Sequence, residues 1–385
     1  MLLGFNEKEL EEKKAIHTAS EIVQQPDTWK KTIVQMKELK STADRFLSDI
    51  LDSPDYDVIL TGAGSSEYAG NALCPSLIQV LKGRVRSVGS TDIVTSPELY
   101  FSEDRPTLLV SFGRSGNSPE SVGAVEVADT ICRKVKHVFV TCNENGALAE
   151  SAKGREDVLS IVLTPETDDE GFAMTSSLTN MYLAALLLFT KDPYEWDDII
   201  KTVSGFVSEG YDRIKTWVDK TRFERIAYLG TDTLRGIAQE SCLKVLELTA
   251  GKMIAIHDSL MGFRHGPKSI VDDETLCIVY LSDEPFRRRY EMDVLSELWR
   301  DKGGSSLIVI HNTPDEKVKE LCDMEICLDI GRPLANAQLA LPFVVCAQTL
   351  ALMYSIKLGI TPDDPCPTGE VNRVVKGVSI YKYNK

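Results

Sequence analysis

The sequence predicts an α/β protein made of two related halves, each a mainly parallel sheet flanked by helices, with a helical arm before them and a tail after. Three observations carry this. Short apolar strand-like runs alternate with helical stretches from Tyr56 onward. Those runs recur at a fixed offset: Gly62 and Gly230, and Thr107 and Thr275, are each 168 positions apart. The loop after the second run differs in kind between the copies, reading "GRSGNSPES" in the first and "LSDEPFRRRY" in the second.

Residues 1–48 are charged and helical in period, with no alternating β-branched run, and form the predicted arm. Their charge is mixed, whereas a DNA-reading helix needs a basic face. The first domain, 49–207, opens with "YDVILTG" (56–62) and a helix from about Ser66. "TLLVSF" (107–112) follows, with a helix from Pro119, then "HVFVTC" (137–142) leading to "GALAESA", then "LSIVLT" (159–164) and the apolar helix "SLTNMYLAALLLF". The second domain, 208–358, repeats the rhythm in "RIAYLG" (225–230), "TLCIVY" (275–280) and "SLIVIH" (306–311). Its apolar stretch Leu339–Ile356 contains Pro342 and Gln348 and reads as a buried core helix rather than a membrane span. Residues 359–385 form the tail.

A formal net charge of −15 argues against a nucleic-acid or anionic-membrane surface. It leaves a small anionic ligand open, because local backbone dipoles hold a phosphate. The opening "MLLGFNEKELEEKK" turns acidic at once, so the reading expects no leader and a cytoplasmic protein. Nine cysteines without a CxxC, most of them in apolar runs, read as reduced thiols, with neither disulfides nor a zinc site.

"SFGRSGNSPES" (111–121) sits where a ligand of an open parallel sheet binds, at the carboxyl end of a strand. Gly113 and Gly116 let the backbone turn and present successive N–H groups. Ser118 suits an N-cap and Pro119 the first helical position, which aims a helix dipole into the loop. Ser115, Ser118 and Arg114 complete a pocket for a phosphate. An ordinary capped turn uses the same residues. A second polar turn, "GAGSSEYAG" (62–70), ends the adjacent run and strengthens the binding reading. Neither loop is a Walker A or a GxGxxG fingerprint.

In the second half, Glu240, Lys244 and Glu247 are spaced i, i+4, i+7 on one helical face, a pattern also given by a solvated Glu–Lys pair. Beyond them, "HDSLMGFRHGPKSIV" holds His257 and His265, with a Gly-Pro turn after the second and an apolar run beyond. No HxH or HExxH spacing supports a metal. A glutamate and a histidine beside a phosphate loop point to proton transfer on a sugar phosphate.

These residues resemble the SIS (sugar isomerase) family. "GAGSSEYAG", "SFGRSGNSPES" and "CLKVLEL…FRHGP", set in duplicated α/β halves, carry the resemblance from about residue 45 to the end. The Lys-x-x-Glu…His-Gly-Pro arrangement is similar to the isomerase domain of glucosamine-6-phosphate synthase, whose "SQSGET" loop reads "GRSGNS" here and whose "AST" loop reads "AMTSS". "EGFAMTSSLTNMYLAALL" and "PTGEVNRVVKGVSIY" resemble the subfamily described both as tagatose-6-phosphate ketose/aldose isomerases and as galactosamine-6-phosphate deaminase/isomerases. The resemblance implies that Gly64, Ser65, Ser66, Ser115 and Ser118 hold the sugar phosphate, with Arg114 adding charge. Glu247 would move a proton between C1 and C2, and His265 would open the ring, commonly in the neighbouring subunit's site. Lys376 would close over the substrate, and Lys244 would stand one turn before the glutamate. It further implies a homodimer or homotetramer with shared active sites and no metal or organic cofactor. Aldose–ketose isomerisation without deamination, and a non-catalytic sugar-phosphate sensor, stay as alternatives.

Overall fold

A computed structural model describes residues 1–190, 195–369, 371–373, 375 and 377–384. The chain forms two compact units, one of residues 27–169, 176–193 and 368–385, the other of residues 1–26, 170–175 and 194–367. Each holds one five-stranded parallel sheet flanked by helices.

The arm is helical: α1 (Glu7–Glu12), α2 (Ile16–Val23) and α3 (Gln25–Leu51). The first sheet contains β1 (Asp57–Gly62), β2 (Arg84–Gly89), β3 (Thr107–Gly113), β4 (Val135–Thr141) and β5 (Val158–Val162), in the order β2-β1-β3-β4-β5. Its helices are α4 (Ser65–Val80), α5 (Ser90–Thr95), α6 (Pro119–Ile131), α7 (Ala147–Ser151) and α8 (Ser176–Phe189). β1 is buried along its whole length and β3 up to its last residue, as expected of central strands covered on both faces. Ile59, Leu109, Phe139, Ala124 and Ala128 meet in one core layer between sheet and helix α6.

The second unit carries α9 (Asp197–Gly205), α10 (Asp212–Lys220), β6 (Arg225–Gly230), α11 (Thr233–Leu248), β7 (Ile254–Ser259), α12 (Leu260–Phe263), β8 (Thr275–Tyr280), α13 (Pro285–Asp301), β9 (Ser306–His311), α14 (Glu316–Glu320), β10 (Met324–Cys327) and α15 (Asn336–Lys357). Its strand order, β10-β9-β8-β6-β7, repeats that of the first sheet. β1 and β6, α4 and α11, and β3 and β8 begin 168 positions apart, so the duplication holds through strand, helix and strand. α15 is long and apolar enough to cross a membrane, yet 94% of its apolar window is buried within the fold.

Three strands escaped the sequence reading: β2, β7 and β10. All are sheet edges. "RVRSVG", "IAIHDS" and "MEIC" interleave charge with apolar residues because one side faces solvent, which erases the continuous apolar run of a central strand. The nine cysteines are free, five of them buried.

Candidate functional site: two helix N-termini and a buried ion triad

In the first unit the chain order reverses between β1 and β3, which opens a crevice at their carboxyl ends. After β1 the backbone turns at Gly64, with φ 59° and ψ −129°, a region that disfavours any residue with a Cβ. α4 starts immediately, burying Ser65 and Ser66 in its first turn. After β3, Gly113 ends the strand, and Gly116 alone of the two loop glycines takes a positive φ, 64°.

The 114–118 loop is pinned along its length by the segment that follows β4. Cys142 N–H (3.2 Å) and the Thr141 hydroxyl (3.3 Å) donate to Arg114 O. Asn143 Nδ2 donates to Ser115 O at 3.1 Å, Leu148 N–H to Gly116 O at 3.0 Å, and Ala147 N–H to Asn117 Oδ1 at 2.9 Å. A Cβ on Gly146 would stand 2.3 Å from Ser115 O, so this close approach requires glycine. With its carbonyls occupied from behind, the loop is preorganised.

Ser118 holds the N-cap position of α6, as the sequence predicts, but its hydroxyl donates to Glu120 Oε2 at 2.6 Å and does not cap the helix. Gly64, at the head of α4, has no side chain to cap with. Two helix N-termini therefore meet the crevice with no side-chain cap, where the amides and dipoles favour an anion. Thr61 and Ser111, register neighbours on β1 and β3, are buried with hydroxyls that have no hydrogen-bond partner among the described residues. A cavity of about 890 Å³ in the same unit lies aside, against Lys31, Gln35, Asn143 and Thr164, and includes none of the four serines.

Arg114 is buried, and its Nη2 donates to the backbone O of Arg373 at 3.2 Å. Arg373 in turn pairs with Asp168 and donates to Asp169 O. The guanidinium thus fastens the tail beside the loop. Lys376 lies outside the described residues.

The second unit fills the same places differently. Asp232, 168 positions after Gly64, copies its conformation with φ 46° and ψ −116°, a strained one for a non-glycine residue. Its carboxylate accepts from Thr233 N–H at the head of α11, from Asn336 Nδ2 (2.9 Å), and pairs with Arg287 Nε (2.7 Å). Glu284 caps α13, accepting from Phe286 and Arg287 N–H at 3.0 Å each. Both helix heads here carry the protein's own carboxylate, whereas the corresponding heads of the first unit have no side-chain cap. Sequence reading missed Asp232; laying the copies over one another at the 168 offset would have found it.

On α11, Lys244 Nζ lies 3.1 Å from Glu240 Oε1 and 2.6 Å from Glu247 Oε2. The side chains of Lys244 and Glu240 are 0% and 1% exposed, and that of Glu247 is 23% exposed. This corrects the alternative of a solvated surface pair. Burial alone would lower the Lys244 pKa, but the two carboxylates outweigh it and hold the amine above its usual value, as an ammonium. Glu247 is the member that meets solvent.

His265 is exposed in a turn, its N–H donating to Gly262 O at 2.9 Å, before Gly266 at φ 122°. Salt bridges of Arg264 and Lys268 to Glu297, both 2.7 Å, anchor this turn to α13. His257, half-buried on β7, has its pKa lowered by burial and then by Arg235.

Two units of one repeated parallel α/β topology, one with uncapped helix heads at its switch point and the other with a carboxylate-paired lysine, define a duplicated α/β protein. The SIS domain model matches residues 52–191. The chain is 41% identical to D-galactosamine-6-phosphate deaminase AgaS of Escherichia coli, over 95% of this chain and 96% of that one. The structure of tagatose-6-phosphate ketose/aldose isomerase from Escherichia coli superimposes with a TM-score of 0.88 at 38% identity, covering 96% and 97% of the two chains. A Clostridium novyi NT counterpart reaches 0.94 at 39% identity, covering 100% and 99%. The chain belongs to the SIS family.

Proposed function

We propose that this protein is a sugar-phosphate deaminase/isomerase that converts galactosamine 6-phosphate to tagatose 6-phosphate and ammonia, acting as a cytoplasmic homo-oligomer. The observation that carries the reading is the contrast between halves: two helix heads without side-chain caps in the first unit, two carboxylate-capped heads in the second. The full-length similarity to relatives of that activity supports the choice of substrate.

In this reading the phosphate is held by Ser65, Ser66, Ser115 and Ser118 with the amides of α4 and α6. His265, exposed on its turn, opens the sugar ring for a neighbouring subunit. Glu247 removes the C2 proton, acidified by the C1 aldehyde, and the proton returns to C1. The resulting C2 imine takes up water and expels ammonia, leaving the ketose. The ammonium of Lys244, 2.6 Å from Oε2, holds the Glu247 carboxylate in place.

Ammonia release from galactosamine 6-phosphate, compared with glucosamine 6-phosphate, is the direct test. Strong release from the first and weak release from the second is expected. Interconversion of ketose and aldose phosphates without ammonia release from either amino sugar would overturn deamination.

The loop makes a separate prediction. Gly146→Ala must push Ser115 O away and deform the phosphate cradle. KM for the sugar phosphate is expected to rise at least about tenfold, the cost of one or two lost hydrogen bonds to a charged group. An unchanged KM in a folded variant would show that Ser115 does not hold the phosphate.

A further inference from the structure

We propose that His311, Glu325 and Cys327 form a binding site for a zinc-class divalent metal that clamps the edge strand β10 to β9. The site lies within the second unit and is independent of the reaction proposed above.

Strand geometry assembles the ligands. Cys327 is the register partner of His311. Glu325, two residues before Cys327, falls on the same face of β10 because side chains alternate along a strand. The imidazole nitrogen, carboxylate oxygen and thiol sulfur all lie within 4.8 Å of one another. The side chains of His311 and Glu325 are 0% and 11% exposed, and Cys327 is partly buried.

The hydrogen bonds around His311 leave a place for a cation. Nδ1 lies 3.0 Å from Thr313 O, an acceptor, so Nδ1 carries the proton. Arg288 Nη2 stands farther from Nδ1, at 3.5 Å. On the other side of the ring, Nε2 lies 2.8 Å from Glu325 Oε1. A divalent cation that takes the place of the proton between them is ligated by both. The Thr313 carbonyl supplies the outer hydrogen bond that fixes a metal-binding histidine.

Zinc ligands about 2.0 Å from a tetrahedral centre stand roughly 3.3 Å apart, so nitrogen and oxygen need to part by only about 0.5 Å. The Cys327 sulfur, whose thiol donates to Asn312 O at 3.2 Å, is a soft ligand that binds as a thiolate to metals with strong thiolate affinity. That favours zinc or cobalt over magnesium or calcium. By contrast, the other His–carboxylate group, Asp129, His137 and Asp157, already holds a cation, the Arg155 guanidinium, which pairs with both aspartates at 2.9 and 2.6 Å.

Cobalt(II) titration of the chelator-stripped protein tests this. One equivalent is expected to give tetrahedral visible bands and a thiolate-to-cobalt charge-transfer band, displaced by zinc. Cys327→Ser should abolish the charge-transfer band, and Glu325→Gln should weaken binding about 10- to 100-fold, with sugar-phosphate turnover unchanged in both. Zinc should also raise the thermal midpoint of the wild-type protein, a readout that needs no variant. The absence of a charge-transfer band in wild-type protein, or a band that survives in Cys327→Ser, would overturn the site.

Discussion

Glu247→Gln is expected to lower turnover of galactosamine 6-phosphate by about 10²- to 10⁴-fold, the usual contribution of a positioned general base, with little change in KM. Gln matches the shape of Glu and keeps an oxygen for Lys244 Nζ, now 2.6 Å from Oε2, but it cannot take a proton from carbon. The phosphate contacts assigned to Ser65, Ser66, Ser115 and Ser118 stay intact, so binding survives. The C2 proton of the substrate should stop exchanging with deuterated solvent, a signature that a merely structural glutamate would not move. Lys244 retains Glu240 at 3.1 Å, and the thermal midpoint should shift only modestly. Full turnover in Glu247→Gln would remove Glu247 from the mechanism.

Central strands were legible in the sequence because burial on both faces demands an unbroken apolar run. "TLLVSF" and "TLCIVY" could hardly be anything else, and both lie where the reading placed them. β2, β7 and β10 were not, since an edge strand carries charges that a periodicity argument assigns to loops. The spacing of Glu240, Lys244 and Glu247 was also legible, but their burial was not. The same three letters at i, i+4 and i+7 describe a solvated stripe, and only the packing of α11 against α15, β6 and β7 decides otherwise. The loop after β3 was read as a capped helix start. Its Ser118 hydroxyl turns instead to Glu120, a choice that composition does not specify.

The two copies differ where a helix head meets the sheet switch point. A helix head next to a sheet switch point must find an acceptor or an anion for its amides. In the second unit the chain supplies one from within, as Asp232 on α11 and Glu284 on α13. Asp232 adopts a backbone geometry suited to glycine, a strain that its bonds to Thr233, Asn336 and Arg287 offset. The first unit retains Gly64, which brings no side-chain cap to α4.

Lys244→Met is expected to destabilise the fold by about 3–5 kcal/mol, the typical cost of removing one partner from a buried ion pair. Met matches the length of the lysine stem and fills the same space, so little of the loss is cavity. What is lost is the ammonium shared by Glu240 and Glu247, with Glu240 held 1% exposed in the fold. The double variant Lys244→Met/Glu240→Gln should recover most of the stability, because a neutral amide needs no counter-charge. In the single variant a buried Glu240 carboxylate without the ammonium acquires a raised folded-state pKa. Its protonated form suits the folded state, so the deficit is smallest at acid pH and grows as pH rises through that pKa. Denaturant unfolding across pH reads all three effects. The same electrostatics bear on chemistry. A lysine held charged by two carboxylates is no nucleophile, so borohydride added during turnover should trap no substrate on Lys244. An imine trapped there would mean that the ion triad opens during catalysis, and it would transfer the nitrogen chemistry from water to the lysine.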